Sequence, residues 1–250
     1  MIEIHNLHKS FDGHEVLKGV NLTIPDGKIT VVIGGSGSGK TVFLRHLIGL
    51  LKPDFGRVLV DRVNIHALPR QELSEFRKRF GMLFQSAALF DSLDVFENVA
   101  FPLIEHRKMR DIDSIRRIVE EKLALVGLSD ITHKLPSELS GGMRKRVGLA
   151  RAIALDPKII LYDEPTTGLD PISTVAIDNL ILSMQQRLGV TSVVISHDVD
   201  SAFRIADQIA MIADGRIIVS GTPDEVRASE IPAVQHFLTA RDVAERGHNP

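Results

Sequence analysis

Three short segments hold most of the residues that could do chemistry. The first, GGSGSGKT, comprises Gly34, Gly35, Ser36, Gly37, Ser38, Gly39, Lys40 and Thr41, and the apolar run Ile29–Ile33 leads into it. Its Gly-x-x-x-x-Gly-Lys-Thr spacing suits a phosphate-binding loop. Glycines let successive backbone N–H groups turn toward an anion, and the following helix points its positive end at the same place. Lys40 adds a mobile positive charge, and Thr41 offers a hydroxyl to Mg²⁺. Val42, next in line, can still present its backbone N–H to a phosphate. The second segment runs Ile159, Ile160, Leu161, Tyr162 into Asp163 and Glu164, with Pro165 closing it. Such a run predicts a buried parallel strand with two carboxylates at its C-terminal tip, where ligands bind in open α/β sheets. Adjacent strand residues point to opposite faces, so the two carboxylates take different work: one orients the Mg²⁺ shell, and its neighbour faces the attacking water. A surface turn containing Asp-Glu is the alternative, and it would leave four apolar residues exposed.

The third segment is Leu139, Ser140, Gly141, Gly142 and Met143, opening a helical stretch to about Leu155 with Val147, Ala150 and Ile153 on an apolar face. Ser140 suits an N-cap, and the paired glycines leave the helix start bare for close approach. A second anion site beside a single phosphate loop makes sense when both act on one nucleotide from opposite sides. On these three segments the chain resembles the ATP-binding cassette family. The resemblance implies a P-loop α/β nucleotide-binding domain with an antiparallel β lobe and an inserted α-helical subdomain. It also implies ATP and Mg²⁺, and a second copy of the chain arranged head to tail, so that each signature segment closes on the partner's ATP.

Further roles follow from that resemblance. Gln85 matches the glutamine that reaches Mg²⁺ and the lytic water and couples the two lobes. His197, in ISHD, matches the switch histidine on the γ-phosphate. Asp170, in TTGLDP, matches the loop that crosses the dimer interface; its plain reading is an N-cap before Pro171, which is compatible. Phe11 stands where the family places an aromatic on adenine, with Val16 beside it, although a Phe on an apolar lobe is more often core. Two departures stand out. Val42 replaces a frequent hydroxyl residue, and Met143 replaces the Gln that often ends the signature.

The positioning elements are legible around these residues. Residues 1–30 alternate apolar and polar, with turns at Asp12-Gly13 and Pro25-Asp26-Gly27, which predicts an antiparallel lobe. Beyond the loop, a helix to about Leu50, a strand at Arg57–Val60, a helix around Arg70–Arg79 and a strand at Gly81–Phe84 are expected. Leu93–Phe101 and Ile112–Val126 have helical periodicity, with Asp94 and Glu97 as a capping box. Residues 86–155 are therefore expected as a helical subdomain, with 1–85 and 156–222 forming the β lobe and core. After residue 156, strands (Ile159–Tyr162, Ser192–Ile195, Ile209–Ile212, Arg216–Val219) alternate with helices (Ile172–Leu188, Asp198–Ile205). A helical segment from about Asp224 to Ala240 and a flexible 241–250 complete the expected single domain.

Composition narrows the class. The chain has 250 residues, 30 Lys+Arg against 32 Asp+Glu, and no cysteine. Disulfide and thiolate chemistry are excluded, and a reducing compartment fits. No basic stripe with interleaved aromatics argues for nucleic acid. Ten histidines include no HExxH or paired-ligand pattern, and His5 and His8 read as surface. No apolar stretch reaches the ~18 residues of a membrane span, so a membrane link is expected through a partner, at the cytoplasmic face of the inner membrane.

The segment after Gln85 suggests that partner. Leu89, Phe90, Leu93, Phe96 and Phe101 fall close together; some must pack the helical insert, and others could line a groove for a partner helix. GMLFQSAALFDSLDVFENVAFPL together with LPSELSGGMRKRVGLARAIALDP resembles the cassette of Mla/MCE-associated lipid transporters. That implies a permease, an MCE-domain lipid-binding protein and phospholipid cargo. A glycine-betaine- or amino-acid-type importer cassette and a regulatory cassette of the cell-division type remain as alternatives. A chromosome-organising ATPase would need far longer insertions.

Overall fold

The computed structural model describes residues 1–246, and the side-chain environments of 1–239. The chain begins with β1 (Ile2–Phe11), β2 (His14–Ile24), β3 (Ile29–Ile33), α1 (Lys40–Leu47), β4 (Phe55–Val60) and β5 (Val63–Asn64). It continues with α2 (Arg70–Arg77), β6 (Phe80–Leu83), α3 (Val95–His106), α4 (Ile112–Leu125), α5 (Gly141–Ala152), β7 (Ile159–Asp163), α6 (Pro171–Leu188) and β8 (Thr191–Ser196). Last come α7 (Val199–Ile205), β9 (Gln208–Ala213), β10 (Arg216–Gly221), α8 (Pro223–Arg227) and α9 (Pro232–Arg246). Two compact units divide the chain: Met1–Leu68 with the segment from Ile195 onward, and Pro69–Val194.

In the first unit, β1 and β2 form a hairpin whose end pair is Phe11 with His14. Asp12 and Gly13 both take positive φ, 49° and 79°, as a type I′ turn requires. β4 pairs antiparallel with β1, and β5 with β4, giving the order β2-β1-β4-β5. Alternation buries Ile2 and Ile4 along β1, and Leu7 is buried after a register shift at which Asn6 takes φ 45°. β3 pairs in parallel with β9, which pairs antiparallel with β10. Every residue of β3 is buried, so the strand reads as continuous apolar sequence rather than alternating. α1 stops at Leu47, short of the expected Leu50. Gly49 follows with φ 69°, a conformation that glycine adopts at low cost after a helix.

In the second unit, β6 and β7 pair in parallel, and β8 lies beside β7. This unit contains the expected helical stretch 86–155 together with α2, β6, β7, α6 and most of β8. α5 packs on β6, α3, α4 and α6. Its start is capped by Ser140, whose hydroxyl accepts from the Met143 N–H at 3.2 Å. α3 opens on the reciprocal Asp94–Glu97 capping box. It runs through Pro102 to His106, past the expected end at Phe101; proline lacks an N–H and lowers helix propensity, but tertiary packing overrides it here. α4 buries Ile115, Val119 and Leu123, one apolar stripe at helical spacing.

The helical segment expected from about Asp224 to Ala240 consists of two helices, α8 and α9, separated by residues 228–231. Pro232 cannot continue a preceding helix but suits the start of the next one. The Gln235 side chain closes the break by donating to the Ser229 carbonyl at 2.6 Å and the Arg227 carbonyl at 3.2 Å. α9 extends beyond Ala240 to Arg246; the remainder of the expected flexible segment, 247–250, lies outside the described residues. Among the described residues, no helix is long and apolar enough to cross a membrane.

Candidate active site

The phosphate loop belongs to the first unit. β3 delivers Gly34, whose α-carbon passes so close to β9 that an added Cβ would stand 2.3 Å from the Ile212 carbonyl oxygen. Gly35, Ser36 and Gly37 are exposed at the crest, and an added Cβ at Gly35 or Gly37 would meet nothing within 4 Å. Gly37 and Gly39 hold φ of 74° and 99°, values that glycine adopts freely. Ser38 donates its N–H to the Gly35 carbonyl at 3.3 Å. α1 then starts at Lys40 with no side chain capping it, as befits a helix start that serves an anion.

Lys40 is buried and folds back over the loop. Its ammonium donates to the carbonyls of Gly34 and Gly35, both at 2.8 Å. Thr41 and Val42 follow on the first turn of α1, both half-buried. Gly39 lies against β2: an added Cβ would be 3.2 Å from the Val16 carbonyl and 3.3 Å from Val16 Cγ1. The structure thus brings Val16 to the loop. Phe11 stands at the hairpin end, 40 % exposed, with the Lys9 ammonium 5.4 Å from its ring centroid. It is exposed rather than part of the core. His197, exposed, follows β8 directly and precedes Asp198, which caps α7 through the Ser201 N–H at 3.1 Å. An open crest of N–H groups, a folded-back ammonium and a threonine at a helix start fit a nucleotide polyphosphate.

The remaining predicted residues belong to the second unit. β7 ends at Asp163, which is buried. Glu164 lies just past the strand with φ 51°, in a left-handed turn rather than extended backbone. That conformation is strained for a non-glycine residue and is over-represented at functional sites. Thr167 holds Glu164 twice: its hydroxyl donates to the Glu164 carboxylate at 2.9 Å, and its N–H to the Glu164 carbonyl at 3.3 Å. Gln85 follows β6 at the entry to the segment before α3, and is exposed. The signature glycines face the loop carrying Asp170: an added Cβ at Gly141 would be 3.5 Å from Leu169 Cδ2, and one at Gly142 3.7 Å from Ser173 Oγ. Asp170 caps α6, accepting from the N–H groups of Ile172 at 3.0 Å and Ser173 at 2.9 Å, and from the Ser173 hydroxyl at 2.6 Å. Those bonds from Ser173 hold its carboxyl below the usual carboxylate range. The capping role expected from Pro171 is therefore present.

Several residues here escape a reading of spacing alone. Lys145, in α5, is 5 % exposed. Arg151, on the same helix, donates to the Ala87 carbonyl at 2.8 Å, and burial lowers its pKa. Fully buried Asn98 donates to the carbonyls of Phe90, Leu93 and Asp94 and accepts from the Phe90 N–H. In the sequence, Lys145 and Arg151 look like part of a basic, solvated helix face, and Asn98 looks like an ordinary helix residue. Nothing local marks them: Lys145 is flanked by Arg144 and Arg146.

A groove of about 470 Å³ also opens on the second unit, lined by Arg77, Phe80, Phe84, Phe90, Phe101 and Pro102 among others. Phe90 and Phe101 are 43 % and 36 % exposed, and their ring centroids are 4.9 Å apart.

Comparison with known proteins gives the family. The ABC transporter family model matches residues 17–167. The intermembrane phospholipid transport system ATP-binding protein MlaF of Haemophilus influenzae is 46 % identical over 238 residues, covering 95 % of this chain and 90 % of that protein. The probable ribonucleotide transport ATP-binding protein mkl of Mycobacterium tuberculosis is 44 % identical over 246 residues, 98 % of this chain and 68 % of its own length. Among solved structures, the ATP-binding cassette MJ0796, dimeric in a post-hydrolysis state with ADP and phosphate, superposes with TM-score 0.82 at 33 % identity, over 89 % of this chain and 99 % of that one.

Proposed function

Because the chain belongs to the ABC transporter family of ATP-binding cassettes, we propose that it hydrolyses ATP to drive a membrane permease whose cargo is phospholipid. The observation that carries the hydrolytic part is the phosphate loop with Lys40 folded over its own carbonyls. Support for the cargo comes from the MlaF relative, which spans most of both chains.

The reaction is in-line attack of water on the γ-phosphorus. The bond from that phosphorus to the β–γ bridging oxygen breaks, and ADP and phosphate leave. Glu164 orients the water and polarises it, and Lys40 with the loop N–H groups of residues 35–41 holds the phosphate charge. Gln85 and His197 position the water and the γ-phosphate. Phe11 stacks on the base with Val16 packed below it. Mg²⁺, which Thr41, Asp163 and Gln85 would hold, supplies neutralisation of phosphate charge when bound. The signature residues Ser140, Gly141 and Gly142 serve the ATP of a second copy arranged head to tail, and Asp170 lies at that interface. Loss of the γ-phosphate parts the two copies.

The groove between Phe84, Phe90 and Phe101 is the surface for a short helix of the permease, which anchors the chain peripherally to the inner membrane. An MCE-domain lipid-binding protein completes the assembly.

Glu164→Gln tests both levels. The variant should retain ATP binding and lose turnover at least ~100-fold; near-normal turnover would remove Glu164 from this role. Purified from detergent-solubilised membranes, it should carry a permease, an MCE-domain protein and phospholipid. A betaine- or amino-acid-binding protein in their place refutes the cargo and leaves the ATPase standing.

A further inference from the structure

The segment that carries Gln85 and the turn that carries Glu164 are both tied to one side chain of the signature helix. Lys145 is 5 % exposed. Its ammonium donates to the Gln85 carbonyl, and at 3.2 Å to the Glu164 carbonyl. An ammonium has three N–H donors and no acceptor, so it can bridge two carbonyls that do not touch each other. Burial lowers its pKa, against the attraction of the Glu164 and Asp163 charges. A buried lysine needs such compensation, and here both carboxylates of the strand tip supply it.

Residues three apart share one side of a helix, and α5 uses that strip along its length. Beyond Lys145, Gly148 allows close approach: an added Cβ would be 3.0 Å from Leu83 Cδ1, 3.1 Å from Ala87 Cβ and 3.3 Å from the Ala87 carbonyl. Beyond that, Arg151 binds the Ala87 carbonyl. The clasped segment is itself unusual. Ala87 and Ala88 hold φ of 62° and 47°, left-handed values that are costly for alanine unless the surroundings impose them. Glu164, at the other end of the bridge, has φ 51°. Lys145 therefore joins two strained segments whose side chains flank the reaction.

We propose that Lys145 is a positioning residue: it ties the main chain at Gln85 to the main chain at Glu164, so that the aim of the hydrolytic carboxylate depends on where the Gln85 segment stands. This rests on the hydrolytic role proposed for Glu164. Lys145 touches neither nucleotide nor water in this scheme, and it acts on turnover, not on ATP affinity, because the phosphate loop belongs to another part of the chain.

The test is steady-state ATPase kinetics of the full chain as Lys145→Met and Lys145→Arg, with ATP affinity measured separately in each, in the Glu164→Gln background. Methionine keeps the apolar stem and removes every donor; arginine restores charge and donors. For Lys145→Met, kcat should fall at least tenfold while KM and ATP affinity stay within twofold, and Lys145→Arg should recover at least a third of the lost kcat. Wild-type kcat in Lys145→Met overturns the proposal. So does a parallel loss of ATP affinity and kcat in both variants, which would make Lys145 a structural support only. Failure of the underlying reading looks different: Glu164→Gln alone would then keep its turnover.

Discussion

Replacing Gly34 by alanine tests how tightly the phosphate loop is set by the strand beside it. The new methyl group would stand 2.3 Å from the Ile212 carbonyl oxygen and 2.9 Å from Ser38 Oγ. Ser38 can rotate away. The carbonyl cannot, because β9 is held between β3 and β10. Ordinary contact begins about 1 Å farther out, so the end of β3 must move by that much. Overpacking of this kind costs about 1–3 kcal/mol. For a chain of this size that is roughly 3 °C of Tm per kcal/mol, hence a fall of about 3–9 °C. The Gly34 carbonyl is also one of the two that hold Lys40, so the same shift moves the ammonium. A displacement near 1 Å at a reacting site costs on the order of 100-fold in rate. Differential scanning calorimetry, fluorescent-nucleotide titration and a phosphate-release assay measure the three effects. Gly35→Ala is the control: its methyl meets nothing within 4 Å, so its Tm should move by less than about 2 °C. A Gly34→Ala protein with wild-type Tm, ATP affinity and turnover would refute the reasoning.

Other consequences are equally direct. Asn98→Ala strips partners from three carbonyls and one N–H in a fully buried site, and should cost about 3 kcal/mol in urea unfolding; an effect under about 1 kcal/mol would show that water replaces the side chain there. His46 is fully buried in α1, its Nδ1 donating to the Val42 carbonyl at 2.7 Å. Burial lowers its pKa, with Lys9 adding to the effect and Asp54 opposing it. The unfolded chain therefore takes up a proton first as pH falls below about 6.5. The stability contribution is intact above that value and declines from there toward the lower folded pKa. His46→Leu should lose less stability than wild type between about pH 7.5 and 5.5; equal acid sensitivity of the two proteins would exclude His46 as the source.

Much of the site was legible because it is made of local signals. A glycine loop between an apolar run and a helix, a strand ending in carboxylates, and Ser140, Asp94 and Asp170 as caps each depend on residues close in sequence. The resemblance to Mla-type cassettes, read from the segment around Gln85, is borne out by the MlaF relative. What stayed hidden depends on distant partners. Lys145 and Arg151 occur among Arg144 and Arg146, and nothing local says that one is buried and the other half-buried, each bonded to a carbonyl 60 or 64 positions away. The left-handed turns at Ala87, Ala88 and Glu164 are invisible for a related reason: alanine and glutamate carry no turn signal, and the carbonyls of Ala87 and Glu164 are held by Arg151 and Lys145, distant in sequence. The break between α8 and α9 was readable from Pro232, which cannot continue a preceding helix.

The carbonyls beneath Lys40 give nucleotide binding the character of an exchange. The ammonium does not wait in water for its ligand; two backbone dipoles already solvate it. An arriving phosphate competes with acceptors that belong to the protein itself and that are present at fixed local concentration. Discrimination follows from that rivalry. A weakly charged anion offers the ammonium little more than the carbonyls do, whereas a polyphosphate offers far more, so the loop's own peptide groups set the threshold that a ligand must exceed.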